Sequence, residues 1–131
     1  MGKGKRRRPL ILDVNDDPSL QMLFCDMLRR MGYDVVAASD GRDGVEKALR
    51  EKPDLILMNL MMPVMDGREA TRLLRENPLT REVPIILNTA CSDPETLDDA
   101  MSAGFTDYFT LPTGPRVIIE MVERYCPSRE R

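Results

Sequence analysis

Histidine is absent from all 131 residues. That removes histidine-based triads, histidine metal sites and any phosphohistidine within this chain. Cysteine is sparse and odd in number, at Cys25, Cys91 and Cys126. Without a secretory context, three thiols read as reduced groups in a cytoplasm rather than as a disulfide framework. No apolar run approaches the roughly 18 to 20 residues needed to cross a bilayer. The amino terminus, Met-Gly-Lys-Gly-Lys-Arg-Arg-Arg, lacks the apolar core of a signal peptide, and Arg6 stands where a myristoylation signal places Ser or Thr. A glycine-rich phosphate loop is also missing.

What remains is an ordinary globular composition, 42% hydrophobic and 31% charged, in a length that suits one core and not two. The net charge of −3 hides an asymmetry: Lys3, Lys5, Arg6, Arg7 and Arg8 carry +5, so the remainder carries −8. A basic arm can bind nucleic acid. No aromatic residue stands among these cations to stack on bases, so the arm reads as a solvated terminus. The expected organisation is an arm over residues 1–7, one domain over 8–126 and a tail over 127–131.

Short apolar runs alternate with longer segments of 3.6-residue period. Leu10–Val14 is an apolar run ended by Asn15-Asp16-Asp17-Pro18, with Asp17 as N-cap and Pro18 in the first turn of a helix. Leu20, Leu23, Phe24, Met27, Leu28 and Met31 then mark one buried helical face, and Gly32 stops it. Further strands are expected at Tyr33–Ala37, Pro53–Asn59, Pro84–Asn88 and Thr106–Phe109. Helices are expected from Gly41 to about Arg50, from Asp66 to about Glu76 with a capping-box-like Asp66 and Glu69, from Ser92-Asp93-Pro94 to near Gly104, and from Gly114-Pro115 onward. In the last of these, Ile118, Met121, Val122 and Tyr125 share a face. Five strands alternating with five helices imply an α/β fold with a parallel sheet covered on both sides.

The most informative segment runs Leu55-Ile56-Leu57-Met58-Asn59-Leu60-Met61-Met62-Pro63-Val64-Met65-Asp66-Gly67. A buried strand ends in one polar residue, a loop follows, and a helix begins: the arrangement that brings a side chain to the carboxyl edge of a sheet. This segment closely resembles the third strand and loop of response-regulator receiver domains, the CheY-like phosphoacceptor modules of two-component signalling. The resemblance extends from about Arg8 to Tyr125. It implies a flavodoxin-like, doubly wound five-stranded sheet in the order 2-1-3-4-5 with five helices.

By the same resemblance, Asn59 stands where the family has the aspartate that takes a phosphoryl group. Asn15 and Asp16 match the acidic pair that helps to hold Mg²⁺, with Asp16 as the direct ligand, and Met61 would offer its backbone carbonyl. Thr89 matches the hydroxyl residue that bonds the phosphoryl group, and Tyr108 the aromatic switch residue. Leu111 occupies the place of the lysine. A carboxylate can attack phosphorus, whereas an amide oxygen is a poor nucleophile. Mg²⁺ binds through carboxylates, waters and phosphate oxygens, and of the family's three carboxylates only Asp16 remains. Mg²⁺ is therefore expected to be weakly held and not required, and no cofactor or enzymatic activity is expected. Met58, Met61, Met62 and Met65 read as packing for the strand and its loop, and Cys91 as an inert thiol.

The expected function is that of a stand-alone pseudo-receiver in a phosphorelay, working by protein–protein contact without phosphorylation. The resemblance implies a histidine kinase, a phosphotransfer protein or a regulated target as partner. It also implies dimer or target contacts on the face of the fourth helix, fifth strand and fifth helix, here Asp98, Met101, Tyr108, Arg116 and Glu120. Two alternatives stay open. One is a working phosphoacceptor bearing an engineered Asp→Asn change at Asn59, against which Asn15 and Leu111 weigh. The other is a small-molecule sensor using the vacated acidic pocket.

Overall fold

The structure, a computed structural model, describes residues 8–128. Five strands, β1 (Leu10–Val14), β2 (Asp34–Ala38), β3 (Leu55–Asn59), β4 (Ile85–Thr89) and β5 (Asp107–Thr110), alternate with five helices. The helices are α1 (Pro18–Arg30), α2 (Gly41–Glu51), α3 (Gly67–Glu76), α4 (Pro94–Met101) and α5 (Pro115–Tyr125). All strand pairs are parallel and the order is β2-β1-β3-β4-β5, the flavodoxin-like arrangement that the resemblance implies.

The apolar strand runs divide their side chains between two cores, because successive residues of a strand point to opposite faces. On one face, Leu12, Val14, Ile56, Met58, Ile85 and Leu87 pack against Ala48 of α2, Ala70 and Leu74 of α3, and Leu97 and Ala100 of α4. On the other, Ile11, Leu55, Leu57, Ile86 and Phe109 pack against Phe24 and Leu28 of α1 and Ile118 and Val122 of α5. The expected α5 face holds, since Met121 and Tyr125 join this second core.

Helix starts follow local chemistry. Asp17, Asp40, Asp66 and Asp93 each accept a backbone N–H in the first turn of the next helix. Helix α5 begins at Pro115 behind Gly114, with no side-chain cap. The capping box at α3 is half formed: the Asp66 carboxylate accepts from the Glu69 N–H, while the Glu69 carboxylate pairs with Arg72 on the helix surface. Four strands differ from expectation by one or two residues. Helix α4 ends at Met101 rather than near Gly104, because Ser102–Gly104 close with turn bonds to Asp98, Ala100 and Met101. The packing also runs past the expected boundary at residue 126, where buried Ser128 donates its hydroxyl to the Met31 carbonyl at 3.1 Å. The basic arm over residues 1–7 lies outside the described residues, as do residues 129–131 of the tail.

One glycine fixes the approach of α3 to the sheet. The Gly67 N–H donates to the Leu60 carbonyl at 2.8 Å, and a Cβ on Gly67 would run into the Asn59 carbonyl. A Gly67→Ala variant is expected to lose about 1–3 kcal/mol by overpacking against backbone that cannot yield. At Gly114, where a Cβ meets nothing within 4 Å, the same change should stay within about 1 kcal/mol. Urea midpoints of the two variants check the contrast.

Candidate functional site

Polar side chains gather at the carboxyl edge of β1 and β3. Asn59 is the last residue of β3, and Asn15 and Asp16 follow β1 directly. The Asn59 Nδ2 group donates to Asp16 Oδ1 at 2.9 Å, to the Met61 carbonyl at 3.3 Å and, at the limit of hydrogen bonding, to Asn15 Oδ1 at 3.5 Å. Asn15 Oδ1 also accepts from the Asp17 N–H at 3.0 Å, which ties the site to the start of α1. An array of oxygens therefore converges on an uncharged amide NH₂.

This array is a poor seat for Mg²⁺. It contains one carboxylate, Asp16, and that carboxylate already accepts from Asn59. Among the described residues no cluster of three or more His, Cys, Asp or Glu side chains could hold a metal ion. A hard dication prefers several charged or carbonyl oxygens without a competing donor in their midst.

The remaining expected residues are arranged around this edge. Thr89, at the end of β4, is buried, and its Oγ1 accepts from the Cys91 N–H at 3.1 Å. Its carbonyl accepts from the Leu111 N–H at 2.8 Å. The Leu111 side chain packs against the α1/α5 core. Tyr108 is 39% exposed and lies in register with Leu87, below the Thr89 level. Asp98, Arg116 and Glu120 are exposed as expected, while Met101 is half-buried against the α2–α4 core.

Two expectations need correction. Met58, Met62 and Met65 pack as predicted, but the Met61 side chain is 71% exposed. The loop turns the Met61 carbonyl toward Asn59, and the side chain points the other way into solvent. The run Leu10–Val14 is also not uniformly apolar: Asp13 lies fully buried on the α1/α5 face, paired in register with Ala37 and Leu57. Its Oδ2 accepts weakly from the Cys25 thiol at 3.7 Å, and its Oδ1 has no partner. Burial pushes the Asp13 carboxyl up from 3.8 to about 7, with the thiol contact pulling slightly the other way. Burial, reinforced by Asp13, pushes the Cys25 thiol up to about 11. Asn88 is another buried polar residue that the sequence reading passed over. It faces the α1/α5 side in register with Asn59, and neither side-chain polar atom has a partner. A polar letter inside each apolar run was the available signal for both.

Comparison with known proteins decides what this arrangement belongs to. The model of the response regulator receiver domain matches residues 11–123. The chain belongs to the response-regulator receiver family. Receivers of this family operate in two-component signalling. The alkaline phosphatase synthesis transcriptional regulatory protein PhoP of Bacillus subtilis is 40% identical over 127 residues, which are 92% of this chain. The chain spans only 52% of the length of PhoP. Protein PilH of Pseudomonas aeruginosa is 33% identical over 112 residues, covering 86% of this chain and 93% of PilH. Among solved structures, the receiver domain of a sensor histidine kinase from Pseudomonas aeruginosa aligns with TM-score 0.84 and 36% identity, over 89% of this chain and 96% of that one. That crystal has a magnesium ion coordinated in its active-site cleft. No described helix of the present receiver is long and apolar enough to cross a membrane.

The buried carboxyl makes receiver stability depend on pH. Between roughly pH 4 and 7 the folded state keeps the Asp13 proton that the unfolded chain has released, so stability falls as pH rises through that window. The contribution is complete below about pH 4 and lost above about pH 7, a change on the order of 4 kcal/mol. An Asp13→Asn variant keeps the shape and has no proton to lose, so its urea unfolding free energy should be far flatter between pH 5 and pH 8. Equal slopes for variant and parent would overturn this account.

Proposed function

We propose that this receiver signals by protein–protein contact and takes no phosphoryl group at Asn59. The observation that carries the reading is the hydrogen-bonded amide of Asn59 at the phosphoacceptor position. An aspartate there would attack phosphorus through a carboxylate oxygen and form an acyl phosphate. The neutral amide oxygen of Asn59 is a weak nucleophile with no comparable product. Leu111 supplies no cation for phosphoryl oxygens, and Asn15 has lost the anion of its counterpart. Two anions and one cation are thus replaced together, which leaves fewer buried charges without a partner than losing either kind alone.

Magnesium is not required in this reading, and any binding through Asp16 and the Met61 carbonyl is weak. The chain is not an enzyme, and it works in the cytoplasm. Its partner is a histidine kinase, a phosphotransfer protein or a regulated target, reached through the face that carries Asp98, Tyr108, Arg116 and Glu120. The same face serves a homodimer. Support for this face is its exposure, together with the family's reliance on protein partners.

Three measurements test the proposal. Incubation with acetyl phosphate and Mg²⁺ should leave the intact mass unchanged; a stable gain of one phosphoryl group mapped to Asn59 would refute it. Asn59→Asp alone should restore little phosphorylation, because each missing electrostatic contact can lower a rate by about 10²–10³. Adding Leu111→Lys and Asn15→Asp should then raise the rate more than additively, since groups acting as a unit are not additive. A fully active single variant would mean that the rest of the site is intact. Finally, thermal melts in EDTA and in millimolar Mg²⁺ should nearly coincide, because little binding energy is linked to folding. A midpoint several degrees higher with Mg²⁺ would show that a metal site survives.

A further inference from the structure

Two arginines of α3 reach toward α4. Arg68 pairs with Asp99 on that helix, but both partners are open to solvent, and exposed ion pairs contribute little. Arg75, in the last turn of α3, makes a different contact. Its Nε donates to the Gly104 carbonyl at 2.8 Å, in the turn that follows α4. Its Nη1 donates to the carbonyls of Val83 at 2.7 Å and Arg81 at 3.0 Å, in the loop before β4, with the Thr80 carbonyl further off at 3.4 Å. Its Nη2 donates to Thr106 Oγ1 at 3.2 Å, and that oxygen also accepts the Ile85 N–H at 3.0 Å. These acceptors are all uncharged. One half-buried guanidinium thus joins the end of α3 to the segments that lead into β4 and β5.

Gly104 is shaped for this contact. Its φ is +119°, and a Cβ there would lie 2.7 Å from Arg75 Cγ. Helix α4 depends on such a hold. It has eight residues, the shortest of the five described helices, and its buried residues are Leu97 and Ala100. Strands β4 and β5, by contrast, are fixed by their own pairing. We propose that Arg75 is a conformational latch, which fixes α4 and its following turn against α3 and whose release frees that segment while the sheet stays folded. A planar fork with five donors meets oxygens from three segments at once, whereas an ammonium offers three donors at a single point. Asp98 and Met101 belong to α4, so the latch also sets the surface presented there. It lies at the amino edge of the sheet and does not depend on the chemistry at Asn59.

Amide hydrogen exchange of the full chain, followed by NMR at low urea concentrations, tests the latch. The amides of Leu97, Ser102, Ala103 and Gly104 bond within α4 and its turn. Their exchange should depend less on urea than that of β1 and β3, since opening this segment exposes little surface. Arg75→Gln should speed these amides about tenfold, the equivalent of one charge-assisted hydrogen bond, and leave those of α2 unchanged. Arg75→Lys keeps the charge without the fork and should come close to Arg75→Gln. Arg72→Gln, which removes only an exposed pair within α3, should change nothing. Unchanged exchange in α4 of Arg75→Gln overturns the proposal, as does a urea dependence there as steep as that of the sheet. An Arg75→Gln chain that fails to fold, or full protection retained by Arg75→Lys, overturns it too.

Discussion

The hydrogen bonding of the Asn59 amide is the interaction around which the carboxyl edge is organised. Its NH₂ group faces Asp16 Oδ1, the Met61 carbonyl and Asn15 Oδ1 at 2.9–3.5 Å. These oxygens come from the end of β1 and the loop between β3 and α3. Left without a donor or cation among them, they would repel one another and draw in water or an ion. A neutral donor satisfies them without adding charge. The same contacts hold the end of β3 to the start of α1, because Asn15 Oδ1 bridges to the Asp17 N–H. The carboxyl edge is thereby a hydrogen-bonded joint between β1, β3 and the start of α1.

Neutral and apolar groups continue outward from that joint. Leu111 turns into the α1/α5 core, and Thr89 receives the Cys91 N–H. Each residue thus has a local partner that does not depend on phosphate. The β3–α3 loop keeps its tight geometry for a backbone reason: Gly67 lets α3 begin directly against the carbonyl of Asn59.

The two faces of the sheet are not equivalent. The face covered by α2, α3 and α4 is mostly apolar, with a fully buried Thr71 hydroxyl on α3 that has no hydrogen-bond partner. The face under α1 and α5 carries Asp13 and Asn88, buried without full hydrogen bonding. Unpaired buried polar groups each lower stability by about 1–3 kcal/mol. This is the face whose stability follows the proton on Asp13.

The α/β class was legible in the sequence because alternation of short apolar runs with helical periods leaves few ways to bury both faces of a parallel sheet, while the strand order followed from the resemblance to receiver domains. Helix starts were equally legible, since an aspartate bonds to backbone only three residues away. Asn15, Asp16, Asn59, Thr89 and Leu111 were named through the resemblance to receiver domains, and the structure places them at or just beyond the carboxyl ends of β1, β3, β4 and β5. Other features depended on contacts between residues distant along the chain. The sequence could not show that the Asn59 NH₂ would sit among the oxygens of Asp16, Asn15 and Met61, nor that the Met61 side chain would point outward. Nor could it show that Asp13 would lie beneath the Cys25 thiol with its proton held to about pH 7. Hydrophobic periodicity is a property of neighbours in sequence. Hydrogen-bond partners and local dielectric are set only when separate elements close upon one another, and the tertiary structure alone decides them.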